Sequence, residues 1–301
     1  MTESPIFILG SGRCGSTLLQ RILNSYSDIT IWGEHHGFLR DLAAGYFKLV
    51  DQPPEDRPTI LYTGEHPLET PEQLEQLKAP EAWQGLMNGF TVAEVTDHFR
   101  WLLCNVFRHR AMADGSVWGF KEIRYGRDDR VLEFLQRLFP DARFIFVVRD
   151  GLNTVASKAE RFYSPHHQRH GLAMNRRIAS AAIAWREQYR QLYQLHNSGT
   201  INSHWVQYER LTADIGHLAP LMQQLGKTID DEQRRVLAMP EGRGAMKDES
   251  AINERYRYLN PLQLAVTQWL LGEMNEALGY DTPASLRWLT SSRRMVDGRM
   301  T

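Results

Sequence analysis

The opening residues constrain the rest of the chain more than any other stretch. Pro5-Ile6-Phe7-Ile8-Leu9 is a short apolar run that reads as a buried parallel strand. Gly10-Ser11-Gly12-Arg13-Cys14-Gly15 reads as a glycine-rich turn, and Ser16-Thr17-Leu18-Leu19 as the start of a helix. Strand, loop and helix in that order make an anion holder, because the glycines let the backbone close on a phosphate while loop and helix N–H groups face it. The spacing from Gly10 to Gly15 matches the Walker A pattern, yet Ser16 occupies the position of its lysine. A kinase or ATPase normally needs that lysine.

Bulk properties bound what the loop can serve. At 301 residues the chain can bury a sizeable core as one large domain, or as a domain with an insertion. A net charge of −1 provides no global field for nucleic acid or an anionic membrane, so any anion site must be local. Cys14 and Cys104 make a poor disulfide framework and fit a reducing, cytoplasmic compartment. The N-terminus has no basic segment ahead of an apolar core, and no stretch approaches the ~20 apolar residues that span a bilayer.

Leu18, Leu19, Ile22 and Leu23 at helical spacing predict a helix over 16–25, capped near Ser16 or Thr17. A strand over 28–32 follows, with Gly33-Glu34-His35-His36-Gly37 at its carboxyl end, where open α/β sheets bind ligands. Further helices are expected over 38–50, 91–112, 128–138, 150–162, 176–196 and 261–278, and strands over 116–121, 142–148 and 201–208. Residues 51–83 lose periodicity and are rich in proline and charge, so about 38–112 reads as a helical insertion or lid. Residues 163–171 read as a histidine-rich loop, 241–254 as a charged break, and 281–301 as a polar tail that frays. The alternation predicts an α/β fold: a P-loop-type three-layer sandwich whose central, mostly parallel sheet is flanked by helices, as a single domain over 1–280.

A second anion signal stands in Val147-Val148-Arg149-Asp150-Gly151, where an arginine leaves the carboxyl end of a central strand. Ser157 lies eight residues on. Arg149 can offer a guanidinium fork to a phosphate and Ser157 a hydroxyl, or Arg149 can simply pair with a neighbouring carboxylate. His166, His167 and His170 have a spacing that could bind a metal, but no carboxylate or cysteine joins them; no metal is expected. Cys14, at a helix N-terminus, should have a lowered pKa, with a side chain that packs inward.

Taken together, the lysine-less loop and Arg149-Asp150-Gly151 with Ser157 resemble the sulfotransferase family, which uses 3′-phosphoadenosine 5′-phosphosulfate (PAPS) and releases 3′,5′-ADP. The resemblance implies that Gly12, Arg13, Cys14, Gly15, Ser16 and Thr17 bind the 5′-phosphosulfate, and Arg149 and Ser157 the 3′-phosphate. Trp32-Gly33-Glu34 resembles the segment of tyrosylprotein and some bacterial carbohydrate sulfotransferases in which a glutamate is the general base. Trp118-Gly119-Phe120-Lys121-Glu122 resembles the strand end from which a lysine reaches the transferring group. Glycine after Asp150 is closer to the tyrosylprotein branch than to the cytosolic aryl branch, which usually has proline there. The aryl and steroid enzymes use a histidine base, however, and His35 and His36 adjoin Glu34. The base is therefore Glu34 or a neighbouring histidine, and His35 and His36 otherwise belong to the acceptor pocket. Glu34 as a helix N-cap and Lys121 as a solvated strand end are the non-catalytic readings. Arg255 and Arg257 fall where the family closes a basic loop over the 3′-phosphate, but in a poor local motif. The resemblance covers the sheet core through 208.

The implied reaction is sulfuryl transfer to a hydroxyl of a sugar, a small-molecule natural product or a peptide. Glu34 would take the proton, and Arg13 and Lys121 would meet the charge that develops on the leaving phosphate. A sulfuryl group carries less charge than a phosphoryl group, so a magnesium clamp is not required. Two other readings stand. A P-loop nucleotide-dependent kinase needs the lysine that Ser16 replaces, and an inactive nucleotide-binding module predicts damage at Glu34 or Lys121. Aromatic and histidine residues in 37–112 and 163–171 suit a sugar or an aryl ring equally, and nothing in the sequence encodes oligomeric state.

Overall fold

The structure is a computed structural model and describes residues 4–51, 68–78, 90–126, 129–163, 171–239 and 255–281. Five strands form one sheet: β1 (Ile6–Gly10), β2 (Ile29–Trp32), β3 (Val117–Glu122), β4 (Arg143–Val148) and β5 (Ser203–Gln207). Their spatial order is β2-β3-β1-β4-β5, and every neighbouring pair is parallel. Gly10 pairs with Val147, so β1 and β4 end side by side.

The unbroken apolar strands follow from burial on both faces. Phe7 and Leu9 of β1 join one core with Phe120, Phe144 and Phe146, while Ile6 and Ile8 join a second core with Ile145 and Val147. A half-buried strand would have alternated polar and apolar residues. The first core is covered by α2 (Leu39–Val50), α4 (Val92–Phe107), α5 (Val131–Leu138), α6 (Gly151–Lys158), α7 (Leu172–Ser198) and α11 (Pro261–Ala277). The second lies under α1 (Ser16–Leu23), α8 (Tyr208–Ala213), α9 (Ala219–Gln224) and α10 (Asp231–Ala238). Among the described residues there is also helix α3 (Pro71–Lys78). The chain is thus an α/β three-layer sandwich, as the alternation of elements predicts.

Boundaries shift where local contacts outweigh periodicity. The helix expected over 91–112 stops at Phe107, whose ring turns inward and stacks on Trp118 at 5.7 Å; its start is fixed by a capping box of Thr91 and Glu94. The helix expected over 150–162 is α-helical only to Lys158 and passes into a π-turn over Ala159–Tyr163. Helix α7 begins at Leu172, earlier than its apolar stripe suggests. His166, His167, His170, the segment 241–254 and the tail beyond 281 lie outside the described residues, as does most of 51–83.

The order matters for function because the chain crosses from β3 on one side of β1 to β4 on the other. Ligands in open α/β sheets bind outside the carboxyl ends of the strands at such a switch point. Both loops that the sequence marks as candidate anion holders leave the sheet there.

Candidate active site

The first loop is built by close contact with its surroundings. Gly15 is the N-cap of α1 and has a left-handed backbone (φ 89°). A Cβ there would come within 2.1 Å of the Tyr208 ring, so only glycine fits. Arg13 is also left-handed (φ 73°), a conformation that curls successive amides toward a common centre. No side chain caps α1 and its first turn holds no acid, which leaves the helix N-terminus suited to an external anion.

Behind the loop, α7 ties three strand ends together. The Tyr189 hydroxyl donates to the Val147 carbonyl (2.7 Å) and accepts from the Ser11 amide (3.1 Å). The Gln188 amide donates to the carbonyls of Gly10, Ile123 and Tyr125. Cys14 does pack inward and is fully buried. Its thiol is pushed up rather than down, because desolvation outweighs the hydrogen bonds with Ser16 and Tyr189 and the charge of Lys158.

The second loop meets the first. The Arg13 Nε donates to Ser157 Oγ at 3.1 Å, joining two sites 144 residues apart in sequence. Ser157 and Arg149 are both buried. The Arg149 guanidinium lies 4.8 Å from the Tyr208 ring centre, and its Nε is 4.0 Å from Glu209, so the neighbouring carboxylate foreseen as an alternative is present. Asp150 caps α6 by accepting from the Asn153 amide (2.8 Å) and also accepts from Asn275 Nδ2 (3.0 Å). Burial, with Glu209 nearby, pushes its carboxyl up to about 6. The other end of the Asn275 amide accepts from the Gly151 N–H (2.9 Å). A Cβ on Gly151 would sit 2.9 Å from both Asn275 and Leu271, so glycine after Asp150 makes room for α11. The turn Arg255–Tyr258 packs on α6, with the Tyr256 amide donating to Asn153 Oδ1.

A third cluster forms where β2 and β3 end. Lys121 is buried, and its Nζ donates to Glu34 Oε1 at 2.6 Å. Arg124 Nη1 donates to Glu34 Oε2 (3.0 Å) and to Glu122 Oε1 (2.6 Å). Glu34 is therefore no helix cap, and Lys121 no solvated strand end. Glu122 is fully buried and accepts from the amides of His35, Gly37 and Ile123. Burial alone would raise its carboxyl, but the Ile123 amide and Arg124 outweigh burial and hold it below the ordinary value. His36 and Gly37 are both left-handed (φ 59° and 76°), so the turn that presents Glu34 folds its amides around Glu122.

His35 is packed among Phe38, Phe107 and Phe120, with its Nε2 2.7 Å from the Tyr125 hydroxyl. Its side chain is 13% exposed against 31% for Glu34. Burial lowers its pKa against the pull of Glu122. His36 is exposed. Among the described residues no group of three or more His, Cys, Asp or Glu could hold a metal ion, and no helix is long and apolar enough to cross a membrane.

Gly12 to Thr17, Arg149 and Ser157 thus converge on the switch point, with Glu34 and Lys121 paired at the end of the adjoining strand β3. Sequence reasoning missed Glu122, Arg124, Gln188, Tyr208 and Asn275. Residues 5–231 match the model of the sulfotransferase family (Sulfotransfer_3), and the chain belongs to that family. The structure resembles the sulfotransferase domain of the Synechococcus PCC 7002 olefin synthase (TM-score 0.56, 20% identity, covering 93% of this chain and 97% of that one). It also resembles the sulfotransferase domain of the curacin biosynthetic pathway (TM-score 0.55, 18% identity, covering 93% and 99%). At these identities the likeness is one of fold. No curated protein sequence matches. The chain is a sulfotransferase.

Proposed function

We propose that the chain transfers a sulfuryl group from PAPS to an acceptor hydroxyl on a sugar, a small-molecule natural product or a peptide, without a metal. The observation that carries the reading is the 3.1 Å contact of Arg13 with Ser157, because it makes one continuous anion site of two separate loops. A donor with phosphate at both the 3′ and 5′ positions of one ribose needs such a site. Residues Gly12 to Thr17, with the uncapped start of α1, suit the 5′ end, and Arg149 and Ser157 the 3′-phosphate.

The donor supplies an activated sulfuryl group on a phosphate. Glu34 accepts the proton of the acceptor hydroxyl as its oxygen bonds to sulfur, and the bond from sulfur to the bridging phosphate oxygen breaks. Arg13, Lys121 and the loop amides stabilise the charge that the leaving phosphate gains, where preorganised donors act most strongly. Glu34 is the base in preference to His35, because His35 is enclosed by aromatic rings and engaged with Tyr125. His35 shapes the turn that carries Glu34, and His36 lies on the acceptor side. Residues 1–280 act as one domain, with 38–112 over the acceptor. The two free cysteines suit a reducing, cytoplasmic setting.

Thermal melting with 3′,5′-ADP, ATP and 5′-AMP tests the donor. At a hundredfold excess over its Kd, 3′,5′-ADP should stabilise by about 2.7 kcal/mol, a shift of several degrees, while 5′-AMP gives much less. Stabilisation by ATP alone would replace this reading with a kinase.

A further inference from the structure

Lys121 and Glu34 cannot both perform their proposed tasks while they hold each other. An ammonium 2.6 Å from Glu34 Oε1 opposes protonation of that oxygen, and it is the same ammonium that would meet the transferring group. Something else must balance and aim Glu34 once Lys121 turns away. Arg124 is placed to do so. Its Nη1 reaches Oε2, the oxygen Lys121 does not use, and the same nitrogen is anchored on Glu122. Glu122 is held in turn by three backbone amides, two of them from the turn that presents Glu34.

We propose that Arg124 is the positioning residue for Glu34, keeping it balanced and aimed while Lys121 passes to the transferring sulfuryl group. The inference rests on Glu34 being the base. It assigns a function to a residue outside every motif, and it makes base and donor interdependent. With Lys121 on Glu34, the two carboxylates, Glu34 and Glu122, face two cations. When Lys121 leaves, one cation remains for both, so Glu34 is released to take the acceptor's proton only after the donor is in place. Of the other charged or titratable groups, His35 faces this cluster directly, its Nε2 3.9 Å from Glu122 Oε2. His35 adjoins Glu34 in the same turn, and Arg40 of α2 donates to the Arg124 carbonyl while pairing with Asp129.

Carbon-13 NMR of glutamate side-chain carboxyls, with the Glu34 signal identified from Glu34→Gln, reads this without an acceptor. In the wild-type protein, saturating PAPS should move the Glu34 titration midpoint up more than 3′,5′-ADP does, since only PAPS carries a sulfuryl group for Lys121. In PAPS-bound Arg124→Gln the midpoint should rise by a further pH unit or so, about the effect of one cation at this range. Arg124→Lys should recover part of that rise, and the affinity for 3′,5′-ADP should be unchanged in both variants. An unmoved midpoint in Arg124→Gln, or equal responses of the wild type to PAPS and 3′,5′-ADP, overturns the proposal. The assignment of Glu34 fails separately. Glu34→Gln should lose about 10²–10⁴ in turnover, and near-wild-type turnover would refute the base whatever the NMR shows.

Discussion

Asp150 offers a test in which the sign is unusual. Most carboxylates in folded proteins are stabilised in the charged form, and acid unfolds the protein by protonating them. Asp150 is the reverse, because burial raises its carboxyl from 3.8 to about 6. Between those values the folded state holds a proton that the unfolded chain has released. The contribution of Asp150 to stability is therefore fully present below 3.8 and is lost as pH rises through about 6. The whole span is worth roughly 3 kcal/mol, and the part between pH 5 and pH 7.5 roughly 1.4 kcal/mol. Urea unfolding of the wild type and Asp150→Asn at those two pH values isolates it. Groups that do not interact with Asp150 titrate alike in both proteins and cancel in the double difference. The wild type should lose about 1.4 kcal/mol more than the variant on going from pH 5 to pH 7.5. A double difference of zero, or one in which the wild type gains, would mean that the Asn153 amide, Asn275 and Arg149 compensate the charge fully and that burial does not dominate.

Three further outcomes follow from the contacts. Gly15→Ala forces a methyl into the Tyr208 ring and strains a left-handed backbone, so 3′,5′-ADP binding by calorimetry should fall at least tenfold, and unchanged affinity would show that the ring moves freely. Tyr189→Phe removes the hydroxyl shared by Ser11 and Val147 and should cost about 1–3 kcal/mol in urea unfolding. Arg149→Ala should weaken 3′,5′-ADP much more than 5′-AMP; equal losses would remove Arg149 from the 3′-phosphate.

What could be read from the sequence was what depends on continuous local pattern. Ile6 to Leu9 and Phe144 to Val148 are apolar without alternation, and a strand buried on both faces is what such a run becomes. Glycine spacing at Gly10 to Gly15 marks the turn from β1 into α1, and the strand-end arginine with a serine eight residues on marks the turn from β4 into α6. Contacts made at long range left no such trace. The helix over 176–196 is legible in the sequence, but nothing local says that the Tyr189 hydroxyl on it reaches the Ser11 amide, 178 residues away. Glu122 directly follows Lys121 at the end of β3, yet its burial under three amides depends on the left-handed turn at His36 and Gly37. Cys14 shows a local rule overruled, since the helix end that should acidify a thiol is overcome by the complete loss of solvent.

The amide of Asn275 gives the molecule a dependence that its family resemblance does not contain. The family match ends at residue 231, and the two anion loops lie well inside it. Yet the side chain that holds Asp150 and Gly151 in place comes from α11, and the Tyr280 hydroxyl just beyond that helix donates to Glu209 beside Arg149. The shortest piece of chain that can keep the second loop in shape is thus longer than the piece that identifies it. If the second loop holds the 3′-phosphate as proposed, sequence drift in α11 would be felt first as weakened grip on the donor, long before any residue touching it had changed.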